Sequence, residues 1–253
     1  MSRGLMMGLG GLLLESLLLF RGIAACQARR YYFFYIYIAS VMIASVVLVI
    51  ALAIDPKLYH ESYWPLQFGT LVTGYGILLE ILNHVLAPYP GAEKFARFSG
   101  LMAFAAILCF ALIAPRIFPQ QSPGTVIEFE RDLRSIQAIF VFVLLAVIFY
   151  YGIPIGRNMK GMIMGYGLYV LTSLMSLAVR AYAGASFDRV WDVVQPLSYD
   201  GSLAIWLVAL WSYCPNPSPD PNISLEEDYE ALASKTKSVI GAIRNYLRKA
   251  ARA

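Results

Sequence analysis

The chain has 253 residues, of which 59% are hydrophobic and 14% charged, with a formal net charge of +4 and a mean hydropathy of +0.62. A soluble domain carries about 25% charged and about 45–50% apolar residues. The composition therefore excludes a soluble globular enzyme, a disordered chain and a collagen-like fibre, and it predicts an integral membrane protein.

A helix needs roughly 20 mostly apolar residues to cross the hydrocarbon core. Seven segments meet this requirement: residues 4–20, 33–54, 64–87, 99–117, 135–153, 161–182 and 196–213. Glu15 interrupts the first of them. Turn-forming stretches such as Pro88-Tyr89-Pro90-Gly91 and Pro119-Gln120-Gln121-Ser122-Pro123-Gly124 separate the others. The expected fold is an all-α seven-helix transmembrane bundle over residues 1–214. A Pro-rich linker follows over 215–223, then an amphipathic C-terminal helix over 224–253.

Lysine and arginine in the connections set the orientation. With the N-terminus outside, the inner loops and tail hold thirteen of the basic residues, including Arg21, Arg29, Arg30, Lys94, Arg97, Arg157 and Lys160. The outer side holds seven: Arg3, Lys57, Arg116, Arg131, Arg134, Arg180 and Arg189. This bias predicts N-outside and C-inside. Ile23-Ala24-Ala25-Cys26 looks like the small-residue box before a lipidated cysteine. Cleavage there would leave Arg29 and Arg30 outside, against the charge bias, so an uncleaved first span is the expectation.

Tyr31, Tyr32, Phe33, Phe34, Tyr35 and Tyr37 are expected at the inner headgroup level, and Tyr59, Tyr63 and Trp64 at the outer one. Thr125-Val126-Ile127-Glu128 has capping-box spacing. A helix starting there and ending at residue 153 runs about 42 Å. Its first turns, Glu128 to Arg134, are predicted to stand proud of the outer surface as a solvated end or a docking ledge. Ser224-Leu225-Glu226-Glu227 opens the last helix in the same way, with Leu225, Tyr229, Leu232, Val239, Ile243, Leu247 and Ala250 at helical spacing. Its basic end, Arg244, Arg248, Lys249 and Arg252, predicts contact with anionic membrane lipid. Docking on a partner subunit would leave the same pattern.

Ionisable groups at membrane depth are functional hypotheses by default. Glu15, Glu80 and His84 fall in the inner half and are expected to form one polar cluster, serving either as a proton relay or as an interhelical tie. Arg116, Arg180 and Asp200 fall in the outer half and are expected to pair. An apolar middle between the two clusters argues against a transport pathway. Gly4–Gly8 and Gly161–Gly165 both match GxxxG, a sign of close helix packing.

Several chemistries are excluded. No lysine lies in any span, so there is no retinal Schiff base. The two histidines, His60 and His84, lie about 36 Å apart along a helix and cannot share a haem. Their number also excludes a histidine-rich metal centre. Cys26, Cys109 and Cys214 have no metal or haem-attachment spacing. Asp200 lacks the second intramembrane aspartate of an aspartyl dyad. No catalytic set, cofactor, metal or nucleic-acid surface is predicted.

The segments Arg30-Tyr31-Tyr32-Phe33-Phe34-Tyr35, Tyr63-Trp64, Glu80-Ile81-Leu82-Asn83-His84 through Pro88-Tyr89, Glu130-Arg131-Asp132 with Arg134, Gly161 through Gly167, and Tyr199-Asp200 through Trp206 resemble those of a family of uncharacterised seven-helix membrane proteins from soil bacteria. The resemblance implies the seven-helix architecture and a glutamate at the position of Glu80 followed by an aromatic–proline exit. It implies no reaction, ligand or partner. The sequence thus predicts a non-enzymatic sensor-like or accessory membrane subunit, in contact with lipid and with a second copy or a partner subunit. A proton-coupled carrier or channel is the alternative, and a lipid-modifying enzyme is the weakest of the three.

Overall fold

The computed structural model describes residues 3–117, 123–183, 188–218, 220 and 223–250. Among these, all the regular elements are helical. They are α1 (Arg3–Ala24), α2 (Tyr32–Ile54), α3 (Pro56–Leu86), α4 (Pro90–Ile117), α5 (Pro123–Tyr151), α6 (Arg157–Ala183), α7 (Asp188–Ala209) and α8 (Leu225–Ala250), with a short 3₁₀ turn at Gln27–Arg29. Tyr32–Ile54, Pro56–Leu86 and Glu130–Tyr151 are long and apolar enough to cross a membrane.

Helix starts lie earlier than hydropathy alone indicates. The α3 helix begins at Pro56, not at residue 64, because Asp55 accepts a hydrogen bond from Lys57 N at 2.9 Å and Pro56 occupies the first turn. The α4 helix begins at Pro90, nine residues before the expected apolar span, and α7 at Asp188, eight before. Their polar first turns lower mean hydropathy without breaking the helix. At the end of α5, Gly152 takes φ +63° and Ile153 N bonds back to Ile148 O at 3.0 Å. This is a Schellman-type stop that needs glycine's left-handed freedom.

The helix order in space follows from the packing. The α2 helix lies on α3, α6 on α7, α5 on α6, α3 on α4, and α1 on both α2 and α7. Gly11 abuts Asp200, and Arg21 Nε donates to Trp211 O at 2.9 Å. The α1 and α7 helices therefore run side by side in the same direction. The expected aromatic belt at the start of α2 is instead largely core: Tyr31, Phe34, Tyr35 and Tyr37 are buried, and only Tyr32 and Phe33 face outward. Trp206 is fully buried, with Phe34 and Tyr37 edge-on at 5.2 and 6.3 Å.

The outside of the bundle is apolar. Phe142, Phe149 and Val208 are 73, 81 and 72% exposed, and α2 turns Ile43, Val49, Ile50, Leu52 and Ile54 outward. Water does not tolerate so much contiguous apolar surface, whereas a lipid environment does.

One end of the bundle is laced together. Arg157 donates to the Ser212 hydroxyl at 2.5 Å and Asn158 Nδ2 to Ser212 O at 3.2 Å. Cys214 N donates to Asn158 Oδ1 at 2.9 Å, Gly156 N to Asn216 Oδ1 at 3.0 Å, and Asn216 Nδ2 to His84 O at 3.2 Å. Glu226 then accepts from Gly91 N at 2.7 Å and Ala92 N at 3.4 Å, so a residue of α8 caps α4. Tyr229 stacks against Phe95, and Tyr151 donates to Asp228 at 3.1 Å. The first turns of α8 are thus docked on protein. The side chains of Arg244, Arg248 and Lys249, and all of Arg252, lie outside the described residues.

Candidate functional site

The expected inner cluster divides in two. Glu80, on α3, accepts from Phe34 N at 2.8 Å and Phe33 N at 3.2 Å, so its carboxylate caps the N-terminus of α2. His84 Nδ1 lies 2.9 Å from the carbonyl oxygen of Glu80 one turn back, and its ring packs on Tyr31 at 5.3 Å. Tyr31 sits just ahead of α2, where burial pushes its phenol up to about 12. Glu80 therefore caps α2, and His84 packs beside that cap. Glu80→Ala is expected to destabilise the protein by about 1–2 kcal/mol, the usual cost of losing an N-cap. Glu80→Gln keeps an acceptor there and is expected to lose less, with both read from unfolding midpoints in lipid–detergent mixtures.

Glu15 goes elsewhere. It is buried on α1 and accepts a hydrogen bond from the Tyr199 hydroxyl of α7 at 2.7 Å. Asp200 is its neighbour: the carboxylate of Asp200 rests on the Gly10–Gly11 face of α1, 3.1 Å from where a Gly11 Cβ would stand. Glu15 and Asp200 thus share one region and do not sit in opposite halves.

Along the helices, the backbone of Arg180 stands apart from that of Asp200. Gly161 opposite Ala209, Gly165 opposite Trp206, and Ser176 bonded to Gln195 fix the α6–α7 register. In that register residues 170–171 face Asp200, and Arg180 lies about 14 Å further along. The α4 helix, which carries Arg116, packs on α3 and α8. The side chains of Arg116 and Arg180 lie outside the described residues.

The main polar site of the core is one that hydropathy assigned to solvent. Arg134 is 2% exposed. Its Nε and Nη2 both reach Glu130 Oε1, at 2.9 and 2.8 Å, and Gln67 of α3 donates to the same oxygen at 3.0 Å. The guanidinium lies 5.3 Å from the Tyr169 ring of α6. Tyr75 donates to Leu133 O at 2.8 Å, and Gln137 Nε2 to Leu71 O at 3.2 Å. The burial comes from Gln67, Thr70, Leu71 and Gly74 of α3 and Tyr169 of α6, which surround these first turns of α5. The signal was present in the spacing, because Leu133, Arg134, Gln137, Val141, Leu144 and Ile148 recur at helical intervals on one buried face.

The two buried regions connect. Tyr199, which holds Glu15, packs against Tyr169 with ring centroids 5.5 Å apart, and Tyr169 faces Arg134. A polar line therefore runs from Glu15 on α1 through Tyr199 on α7 and Tyr169 on α6 to Arg134 and Glu130 on α5, ending at Gln67 on α3. The middle of the bundle is not apolar. Among the described residues no group of histidine, cysteine and carboxylate side chains is arranged to hold a metal. Compared with protein-family models, curated proteins and solved structures, the chain matches none.

Proposed function

We propose that the protein crosses a bacterial inner membrane seven times, N-terminus outside and C-terminus inside, and acts non-enzymatically as a sensor-like subunit whose proton-responsive element is the buried line from Glu15 to Glu130. Three apolar helices of spanning length, the apolar exterior and the bias of basic residues, thirteen to six once the buried Arg134 is set aside, support the topology. The laced end of the bundle is then its cytoplasmic end. The basic tail residues Arg244, Arg248, Lys249 and Arg252 contact anionic lipid, and a second copy or a partner subunit receives the signal.

One observation carries this reading. The α5 helix holds the Glu130–Arg134 pair in the core and, about 26 Å along the same rod, meets Asp228 of α8 through Tyr151. A charge change in the core therefore has a continuous mechanical route to the docked helix. The polar line through the middle of the bundle favours a second reading, a proton-coupled carrier.

One experiment separates the two. Spin labels at Tyr150→Cys and Lys235→Cys, with Cys26, Cys109 and Cys214 changed to serine, report the α5–α8 distance in nanodiscs. The sensor reading expects this distance to shift between pH 5 and pH 8, and Glu15→Gln to abolish the shift. A distance independent of pH rejects it. Proton flux into dye-loaded vesicles that Glu15→Gln removes assigns the carrier function instead.

A further inference from the structure

Between α2, α3, α5 and α6 the bundle encloses a cavity of about 10 Å³, lined by Tyr37, Gly74, Arg134, Gln137 and Tyr166 among others. Tyr37 is 2% exposed, and its hydroxyl makes no hydrogen bond to the protein. Its polar neighbours already have partners: the Tyr166 hydroxyl donates to Gly74 O at 2.8 Å, Gln137 Nε2 to Leu71 O, and Arg134 to Glu130. A buried hydroxyl left unpaired is costly. A cavity of one water-sized sphere holds a water when it finds two to four polar partners.

Those partners exist. The Tyr37 hydroxyl has its full donor and acceptor capacity, the Tyr166 oxygen keeps an acceptor lone pair, and the Gln137 amide keeps a second N–H. Glycine at 74 keeps the space open, because a Cβ there would stand 3.1 Å from Tyr166 Oη and 3.2 Å from Gln137 Nε2. Arg134 is neutralised by Glu130, so the site offers no net charge to hold an anion. We infer that this cavity is a binding site for a single ordered water molecule, which takes the Tyr37 hydrogen bond and joins α2 to the Gln137–Arg134 face of α5. The site stands on its own geometry, whatever the protein senses or carries.

A density map of the full chain in lipid, at a resolution that shows ordered water, is expected to place one peak within about 3.2 Å of Tyr37 Oη and of Gln137 or Tyr166. A collapsed site, or an occupant other than water, overturns the inference. Thermal unfolding gives an independent test. With the water in place, Tyr37→Phe strands it and lowers the midpoint by about 2–4 °C. An unbridged hydroxyl predicts an unchanged or raised midpoint, and that result also overturns the inference. Gly74→Ala fills the space, so in that background Tyr37→Phe is expected to lose its effect. If Gly74→Ala does not fold, Tyr37→Phe alone decides.

Discussion

Arg134→Met is expected to destabilise the protein by about 3–5 kcal/mol, because it leaves the Glu130 carboxylate in the core without its cation. An ordinary interhelical hydrogen bond between membrane helices contributes only about 0.6 kcal/mol. The larger figure applies here because Glu130 Oε1 takes two of its three hydrogen bonds from this one side chain. Adding Glu130→Gln to Arg134→Met removes the stranded charge and is expected to restore most of the loss. Denaturant titration in mixed micelles measures both variants. A single-variant cost below about 1 kcal/mol would mean that bulk solvent screens Glu130, and that the pair is not held in the core as described above.

Gly165→Leu is expected to produce the second large effect. A Cβ at Gly165 would run into Trp206, standing 2.8 Å from its Cδ1 and Cε2, and one at Gly161 would run into Ala209. Trp206 cannot retreat easily. Its indole donates to Met162 O at 3.3 Å, and Phe34 and Tyr37 press on its faces. Overpacking of this kind costs about 1–3 kcal/mol, and separation of α6 from α7 would also disturb the Tyr169–Tyr199 contact. Gly8→Leu provides the control: nothing lies within 4 Å of the Gly8 position. Its midpoint is expected to stay within about 0.5 kcal/mol of wild type. Equal effects at Gly8 and Gly165 would refute the packing assignment.

The two GxxxG motifs read alike along the chain, yet only the second is shown to meet another helix. That contrast shows what the sequence can tell. Apolar runs of spanning length located the helices, since each core or lipid-facing stretch leaves its mark in mean hydropathy. Helix starts were less legible, because Pro56, Pro90 and Asp188 begin helices through caps and polar first turns that hydropathy discounts.

The misplacement of Arg134 has a different cause. The run of charges from Glu128 to Arg134 reads as solvated, whereas the groups that cover Arg134, among them Gln67, Leu71 and Tyr169, lie on α3 and α6, far away in sequence. Glu15 and Glu80 were recognisable as buried carboxylates from their apolar surroundings, but their partners were not. Tyr199 and the backbone of Phe33 and Phe34 lie 184 and 46–47 residues away in sequence, and no local pattern encodes such pairings. Amphipathicity in the final helix likewise cannot tell whether its apolar face meets lipid or protein. Glu226 at the start of α4 settles that question for its first turns.

The lacing at one end of the bundle also has a consequence for biosynthesis. Trp211, Ser212, Cys214, Asn216, Glu226 and Asp228 supply the bonds that hold the ends of α1, α3 and α5 and the starts of α4 and α6. All six belong to the last fifth of the chain. A ribosome delivers residues from the N-terminus onward, so the earlier helices are made before their fastening arrives. Assembly at this end is then timed by translation of the C-terminal segment. A chain that ends before Trp211 lacks every one of these bonds.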